Sequence, residues 1–232
     1  MDFVQDNILN LVIFFPLLAS FILLLLPGDA KGTVRRLALV LSLVPLLLVI
    51  YMWLTYDRFD AGVQFEFQHD WLPVLGSSYH VGIDGISLTM LLLTTILTPL
   101  AILASFGIEE RVSIYMALFL LMETAMLGLF SSIDLIIFFI FWEFGLVPMY
   151  FLIKIWGGKD RDYASFKFII FTMAGSLGLL LAIQLIGLST GTFDIIELMD
   201  VWVNLPAGGT LPNTGLSTDT VKIIAFLAFF IA

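Results

Sequence analysis

Three charged residues lie inside long apolar runs of this sequence, where no water is available to solvate them. Glu143 has at least seven uncharged residues on each side, Glu123 lies in the preceding apolar run, and Lys167 lies near the start of the next one. An ionisable group at the centre of a bilayer costs roughly 2.5 kcal/mol or more, so a helix that retains one uses it for transport or pairs it within the protein. The chemistry that these residues suggest is the binding and release of protons inside a membrane.

Glu143 is the first candidate for a proton carrier. Desolvation favours the neutral form of its carboxyl, and a neighbouring lysine would favour the ionised form, so a balance between the two allows protons to bind and leave. Pro148 lies five residues further on. It loosens the local backbone bonding and leaves polar groups or water near the acid. The alternative is a static glutamate that is bonded to a helix backbone or to a fixed partner.

Glu123 is expected at the same depth as Glu143. A tight turn over residues 131–134 joins their helices; Glu123 lies eight residues before Ser131 and Glu143 nine residues after Asp134. At about 1.5 Å per residue both acids lie roughly 12 to 14 Å deep. Two acids at one depth pass protons to each other or share one proton. In the alternative, the helices are rotated so that the two acids face different neighbours.

Lys167 lies about one turn into its span, near the end that carries most of the basic residues. One interpretation is that its ammonium group snorkels to the membrane interface. The other is that it relays protons or biases the charge state of Glu143.

The composition indicates a membrane protein. Hydrophobic residues make up 60% of the 232 residues, charged residues only 12%, and the mean hydropathy is +1.07, more apolar surface than a soluble domain can bury. The net charge of −9 comes from dispersed acids, which excludes nucleic-acid binding. Cysteine is absent and the two histidines share one polar connection, so thiolate iron–sulfur ligation, Cys-based zinc sites and a bis-histidine haem within the membrane are excluded.

The apolar runs predict an all-α fold, a single transmembrane helix bundle over residues 1–232 with six full spans and the start of a seventh. The spans are expected at residues 8–26, 37–54, 86–108, 113–130, 135–156, 163–188 and, incomplete, 221–232. Residues 55–82 and 189–219 are predicted as extramembrane loops. Alternation over residues 63–68 predicts a short strand or hairpin in the first loop, and residues 193–202 predict a short interfacial helix in the second.

The distribution of Lys and Arg predicts the orientation. The first run follows two Asp and no Lys or Arg, so it is a permanent span and not a signal peptide. Seven basic residues lie on the side of the first, third and fifth loops: Lys31, Arg35, Arg36, Arg111, Lys154, Lys159 and Arg161. Only Arg58 and Lys222 lie on the other side. The N-terminus is therefore predicted to face out and the basic loops to face the cytoplasm.

The segment around Glu143 resembles the antiporter-like subunits of respiratory complex I, the proton-translocating NADH:quinone oxidoreductase, and most of all their chain M (chain 4) family. The resemblance is carried by residues 139–153, in which Trp142-Glu143 is followed by Leu-Val-Pro-Met-Tyr. Supporting segments are residues 81–87, Met122-Glu123, Asp134-Leu135, Lys167-Phe168 and residues 172–176. It extends over essentially the whole chain.

The resemblance implies a membrane-arm subunit that takes part in proton translocation coupled to electron transfer from NADH to quinone. It implies that Glu143 is a central proton-translocation residue and that Glu123 and Lys167 match family positions of lesser weight. NADH, quinone, flavin and iron–sulfur clusters would belong to other subunits, so no cofactor or metal is expected on this chain. The partners would be other membrane-arm subunits, including the other antiporter-like ones, and the lipid bilayer; the membrane would be a bacterial plasma membrane, with mitochondrial inner and thylakoid membranes as alternatives.

The chain departs from the family in its length. Family members have about fourteen helices in two inverted repeats, so this sequence corresponds to the first half of that fold, and a lysine expected on the seventh helix does not appear; Lys222 is too early in that helix to replace it. We therefore expect a truncated product or a fragment that does not pump by itself. The alternatives are a subunit of a multisubunit sodium/proton antiporter, a membrane subunit of an energy-converting hydrogenase, and a non-transporting fragment.

Overall fold

Eight α-helices and one β-hairpin make up the part of the chain that the structure describes. The computed structural model describes residues 7–27, 30–60, 62–72, 76–205, 208–211 and 214–231. The helices are α1 (Ile8–Leu24), α2 (Lys31–Thr55), α3 (Gly85–Ala104), α4 (Val112–Ser131), α5 (Leu135–Trp156), α6 (Arg161–Thr190), α7 (Ile195–Val203) and α8 (Thr218–Ile231). The strands are β1 (Gln64–Leu72) and β2 (Ser77–Ile83), which pair antiparallel.

Five of the described helices, α2 to α6, are long and apolar enough to cross a membrane. α1 is equally apolar but has 17 residues, fewer than the roughly 20 that a span needs. A polytopic transmembrane helix bundle is the fold class that the sequence predicts, and this prediction is confirmed. The number of six complete spans remains a prediction.

Three elements extend two or more residues beyond the apolar runs, and one of them is α8, which begins at Thr218, three residues before the predicted start. α2 begins at Lys31, six residues before the predicted start, and α6 covers Arg161–Thr190, two residues more at each end. Lys and Arg are good helix formers whose long side chains reach past the apolar surface, so the helix continues beyond the apolar run. In the predicted extramembrane loops the structure has the hairpin and the short helix α7.

The loops between successive helices lie at opposite ends of the bundle in alternation, and polar contacts join the loops at each end. At one end, here called the basic face, Lys31 and Arg35 of α2 bind Glu109 at 3.0 and 2.8 Å, and the indole of Trp156 donates to the carbonyl of Glu110 at 2.9 Å. The first, third and fifth connections therefore lie together. The bonds from Arg35 and Lys31 hold the pKa of Glu109 below its usual range.

At the other end, here called the hairpin face, the hairpin lies over the turn between α4 and α5. The amide of Ile133 donates to the carbonyl of His80 at 3.0 Å, and the amide of Leu135 donates to the carbonyl of Phe193 at 2.9 Å. The hairpin, the α4–α5 turn and the α6–α7 connection thus meet on one side. Odd and even connections separate as the predicted topology requires.

Helix α4 forms the centre of the bundle, because it packs against α1, α2, α3 and α5. Its buried residues belong to two apolar clusters. The cluster near the basic face contains Leu23, Ile102, Met116 and Leu120, and the cluster near the hairpin face contains Ile8, Val81, Leu91 and Leu127. The interval on α4 between Leu120 and Leu127 holds Glu123.

Candidate functional site

Glu143 is positioned by a well-capped helix. The side chain of Asp134, the residue before α5, accepts hydrogen bonds from the amides of Ile136 and Ile137 at 2.8 and 3.1 Å, which fixes the helix start. Glu143 follows nine residues later, and Pro148 removes the amide that would bond the carbonyl of Phe144. The carbonyl of Phe144, next to the acid, is therefore left without its helical hydrogen bond.

Glu143 lines a small pocket between α5 and α6. The pocket has a volume of about 240 Å³ and is lined by Phe139, Glu143, Met173, Ser176 and Leu177. The Oε1 atom of Glu143 is buried and has no hydrogen-bond partner. A buried carboxyl oxygen without a partner is costly, so this geometry is suited to a group that gains and loses a proton or meets water.

Ser176 connects this pocket to a second one between α5, α6 and α8. The second pocket has a volume of about 330 Å³ and its lining includes Trp142, Thr172, Ser176 and Ile231. The hydroxyl of Ser176 donates to the carbonyl of Thr172 at 3.0 Å, so its oxygen remains available as an acceptor toward the two pockets. The surroundings of Glu143 therefore extend toward α8.

Glu123 is almost completely buried, with 1% of its surface exposed, and neither carboxyl oxygen has a hydrogen-bond partner. It lies between the two apolar clusters, where the neighbouring helices contribute prolines and hydroxyl residues. We call this set the polar layer; its buried members on α1, α2 and α3 are Pro16, Ser42, Pro45, Thr94, Thr95, Thr98 and Pro99. Each proline leaves one helix carbonyl without its amide, but none of these carbonyls lies within hydrogen-bond distance of the Glu123 carboxyl.

The two acids do not lie at the same depth. A Cβ atom on Gly128 would meet the ring of Phe141 at 2.3 Å, and one on Gly145 would meet the Cβ of Ala125 at 3.4 Å, which sets the register of α4 against α5. Glu123 is then level with residues 146–147, roughly one turn or about 5 Å from Glu143. The expectation of equal depth is off by this turn, because Ser132 and Asp134 are extended and α5 begins beyond the end of α4.

Lys167 lies apart from both acids. Its side chain is exposed, and its ammonium group lies 5.7 Å from the centre of the Tyr163 ring. The α6 residues that line the Glu143 pocket begin at Met173, six residues or roughly 9 Å further along the helix. The structure therefore brings Ser176 to Glu143, and places Lys167 near the basic face.

The sequence interpretation missed a cluster of titratable groups on the hairpin face. The Nε2 atom of His80 lies 2.8 Å from Glu66, and its Nδ1 atom contacts Asp194, whose other carboxyl oxygen caps α7. The carboxylate of Asp134 also accepts hydrogen bonds on this face, from the hydroxyl of Ser77 and the amide of Ser78, both at 3.1 Å. The available signal was an Asp directly before α5 and another directly before α7. The contact between Asp194 and His80 joins residues 114 apart in the sequence, so no local pattern indicates it.

Metal binding has no support among the described residues. Within those ranges no group of three or more His, Asp or Glu side chains is arranged to hold a metal ion.

Comparison with known proteins points to one group of membrane subunits. Residues 132–232 match the family model described as "NADH:quinone oxidoreductase/Mrp antiporter, TM". NADH-quinone oxidoreductase subunit M of Rhodobacter capsulatus is 37% identical over 232 residues, a match that covers 97% of this chain and 44% of that relative. The chain thus spans less than half the length of this relative.

Solved structures show the same fold. A chain of respiratory complex I from Thermus thermophilus with bound NADH is 30% identical, with a TM-score of 0.78 over 97% of this chain and 43% of the other. The Mrp complex from Dietzia sp. DQ12-45-1b contains a chain with a TM-score of 0.76 but only 19% identity, covering 98% of this chain and 23% of the other. The second likeness concerns the fold alone.

Proposed function

We propose that this chain, whose residues 132–232 carry the transmembrane domain of the NADH:quinone oxidoreductase/Mrp antiporter family, belongs to the proton-translocating membrane arm of a complex I type NADH:quinone oxidoreductase. The similarity to a subunit M and to a chain of a solved complex I supports this assignment. Its partners would be the other membrane-arm subunits, including antiporter-like ones. NADH, flavin, iron–sulfur clusters and quinone reduction would belong to those partners, in a bacterial plasma membrane.

One observation carries the proposal. Glu143 has one buried carboxyl oxygen without a hydrogen-bond partner and lines a pocket between α5 and α6, in the middle of a helix long enough to span the bilayer. A structural glutamate would have a fixed partner, because an unpaired buried carboxylate is expensive. A proton carrier has the opposite requirement, since its partner must change during the cycle.

The roles of the three predicted residues follow from their positions. The carboxylate of Glu143 would become neutral when it binds a proton. It would release this proton when a positive charge or water reaches the pocket that Glu143 shares with Ser176. Glu123 would hold a proton in the polar layer, one turn deeper, as a second station. Lys167 would act from the basic face as a distant charge that favours the ionised form of Glu143.

The charge of Lys167 has an effect of limited size. Two unit charges about 10 Å apart interact by about 1.7 kcal/mol at an effective dielectric constant of about 20. Lys167→Met should therefore slow proton translocation by about twentyfold or less, and Lys167→Arg should restore it. If Lys167 only anchors the helix at the interface, both variants will pump as the wild type does.

Substitution of Glu143 in the assembled complex tests the proposal. Glu143→Gln keeps the shape but cannot release a proton, so it should abolish most proton pumping and the coupled oxidation of NADH, whereas Glu143→Asp should retain part of both. Acidification of inverted vesicles and NADH oxidation are measured together. Glu110→Gln is the matched control, because Glu110 is an exposed acid at the basic face. Wild-type pumping by Glu143→Gln at equal assembly would remove Glu143 as the carrier.

A sodium/proton antiporter subunit is the second candidate. The joint naming of the matching family favours it. Sodium dependence of proton movement at constant NADH supply separates the two, because the complex I type subunit should transport protons without sodium.

A further inference from the structure

His80 on β2 is a buried histidine whose two ring nitrogens both meet carboxyl groups. Its side chain is 4% exposed; the Nε2 atom lies 2.8 Å from Oε1 of Glu66 on β1, and the Nδ1 atom contacts Oδ2 of Asp194 before α7. We call these three residues the His80 cluster. Among the described residues, neither Glu66 nor Asp194 has an ion pair with a lysine or an arginine, so His80 is the base that both acids share.

The two contacts of the ring require more protons than a neutral histidine supplies. An ionised carboxyl group only accepts hydrogen bonds, and a neutral imidazole has one N–H group and one bare nitrogen. With both acids ionised and the ring neutral, one contact brings a nitrogen lone pair against a carboxylate oxygen. One further proton, on the ring or on a carboxyl group, gives each contact a donor and an acceptor. The His80 cluster is therefore complete only when its three groups hold two protons.

Other charged groups near the hairpin have donors of their own or meet water. The carboxylate of Asp134, before α5, accepts four hydrogen bonds from β2 and α5. Asp84, after β2, accepts from an amide of α3 at 2.7 Å, and Glu197 on α7 accepts from a threonine hydroxyl at 2.6 Å. Asp70 on β1 is exposed, and the end of α4 next to the hairpin, residues 127–132, has no charged residue. The extra proton is thus required within the His80 cluster itself.

Strand β2 and Asp194 are held by bonds that do not involve this proton. The carbonyls of Gly76 and His80 accept amides from the α6–α7 connection and the α4–α5 turn at 3.3 and 3.0 Å. The other carboxyl oxygen of Asp194 accepts the amides of Ile196 and Glu197 at 2.9 and 3.1 Å. Loss of the proton therefore acts on the remaining contact, the one between the ring and β1.

Glu66 is the member of the cluster that can move. Its side chain is 46% exposed, so water can replace the ring at its carboxylate. It lies where the pairing register of β1 shifts, between Gln64 and Phe67, and the residue before it, Phe65, has a φ of 53°. A phenylalanine adopts this left-handed conformation at a cost in free energy, so this segment relaxes once the contact with the ring is lost.

We propose that the His80 cluster is a pH-sensitive contact that holds β1 on the hairpin face. At low pH the cluster contains two protons and joins β1, through Glu66 and Asp194, to the α6–α7 connection. As the pH rises, one proton passes to water and residues 64–67 separate from the ring. The predicted orientation places this face outside, so the outer pH would control the contact. The proposal does not depend on the proton-carrying role of Glu143.

Hydrogen–deuterium exchange of the assembled complex, measured by mass spectrometry on peptides that cover β1, tests the proposal. Protection is expressed relative to the chemical exchange rate at each pH, which removes the direct effect of pH on exchange. In the wild type, protection of residues 64–67 should fall by about tenfold to a hundredfold when the pH is raised from about 5 to about 8, because a hydrogen bond to a charged group is lost in the range where histidine titrates.

Three variants identify the groups that are responsible. Glu66→Gln introduces an amide that donates to the bare nitrogen of a neutral ring, so protection should stay high at both pH values. His80→Gln should lack the pH dependence, because an amide does not titrate in this range. His69→Gln is the matched control, since His69 is an exposed histidine of the same strand, and it should behave as the wild type does. The proposal is overturned if wild-type protection does not change with pH, if Glu66→Gln keeps the wild-type pH dependence, or if His69→Gln abolishes it.

Discussion

Replacing Glu123 by methionine should stabilise the fold while it removes a proton-binding group. Both carboxyl oxygens of Glu123 are buried without hydrogen bonds, and leaving a buried polar group unpaired costs about 1–3 kcal/mol. Methionine has a similar volume and a flexible side chain, so the cavity and strain terms are small. We therefore expect Glu123→Met to increase the free energy of unfolding by about 1–3 kcal/mol.

Thermal unfolding of the purified complex in detergent measures this effect, and pumping is measured on the same preparation. Leu120→Met is the matched control, because Leu120 is equally buried one turn earlier on α4 and a volume-conserving exchange there changes the stability by less than about 1.5 kcal/mol. The expected result is a higher Tm for Glu123→Met with reduced pumping. A lower Tm than that of Leu120→Met would refute the reasoning, since it would show that Glu123 has a stabilising partner.

Three further predictions concern the topology, the packing and the basic face. Thr33→Cys introduces the only cysteine of the chain and should react with an impermeant thiol reagent from the cytoplasmic side; labelling from outside would reverse the orientation. Gly128→Ala places a Cβ 2.3 Å from the ring of Phe141 and should lower the stability by about 1–3 kcal/mol, whereas Gly32→Ala, with nothing within 4 Å, should not. Arg35 and Lys31 lower the pKa of Glu109, so its ion pairs contribute fully to the stability of the fold at pH values above 4.5. This contribution is lost as the pH falls through the lower pKa of the folded state. The Tm difference between wild type and Glu109→Gln should therefore shrink in acid.

The positions of the elements and of the acids could be predicted from the sequence. Apolar runs with few charges mark the spans because lipid excludes water from them, and an acid such as Glu143 stands out within them. The alternation in residues 63–68 indicated a strand because side chains of a strand alternate between two faces, and β1 begins at Gln64.

The rotation and register of the helices could not be predicted. The apolar periodicity that orients a helix in a soluble protein is weak when both the core and the lipid are apolar, so nothing local showed that Glu143 faces Ser176 or that Lys167 points outward. The one-turn offset between Glu123 and Glu143 depends on the extended turn at Ser132. The contact of His80 with Asp194 depends on the assembled tertiary structure.

The central claim is that Glu143 exchanges a proton during turnover. Infrared difference spectroscopy of the assembled complex, triggered by NADH, measures this directly, because a protonated carboxyl has its own band that shifts in D₂O. The account predicts a carboxyl band that changes during turnover in the wild type and in Glu110→Gln, and is absent in Glu143→Gln. The same band at full amplitude in Glu143→Gln would contradict the claim and assign the proton to another acid.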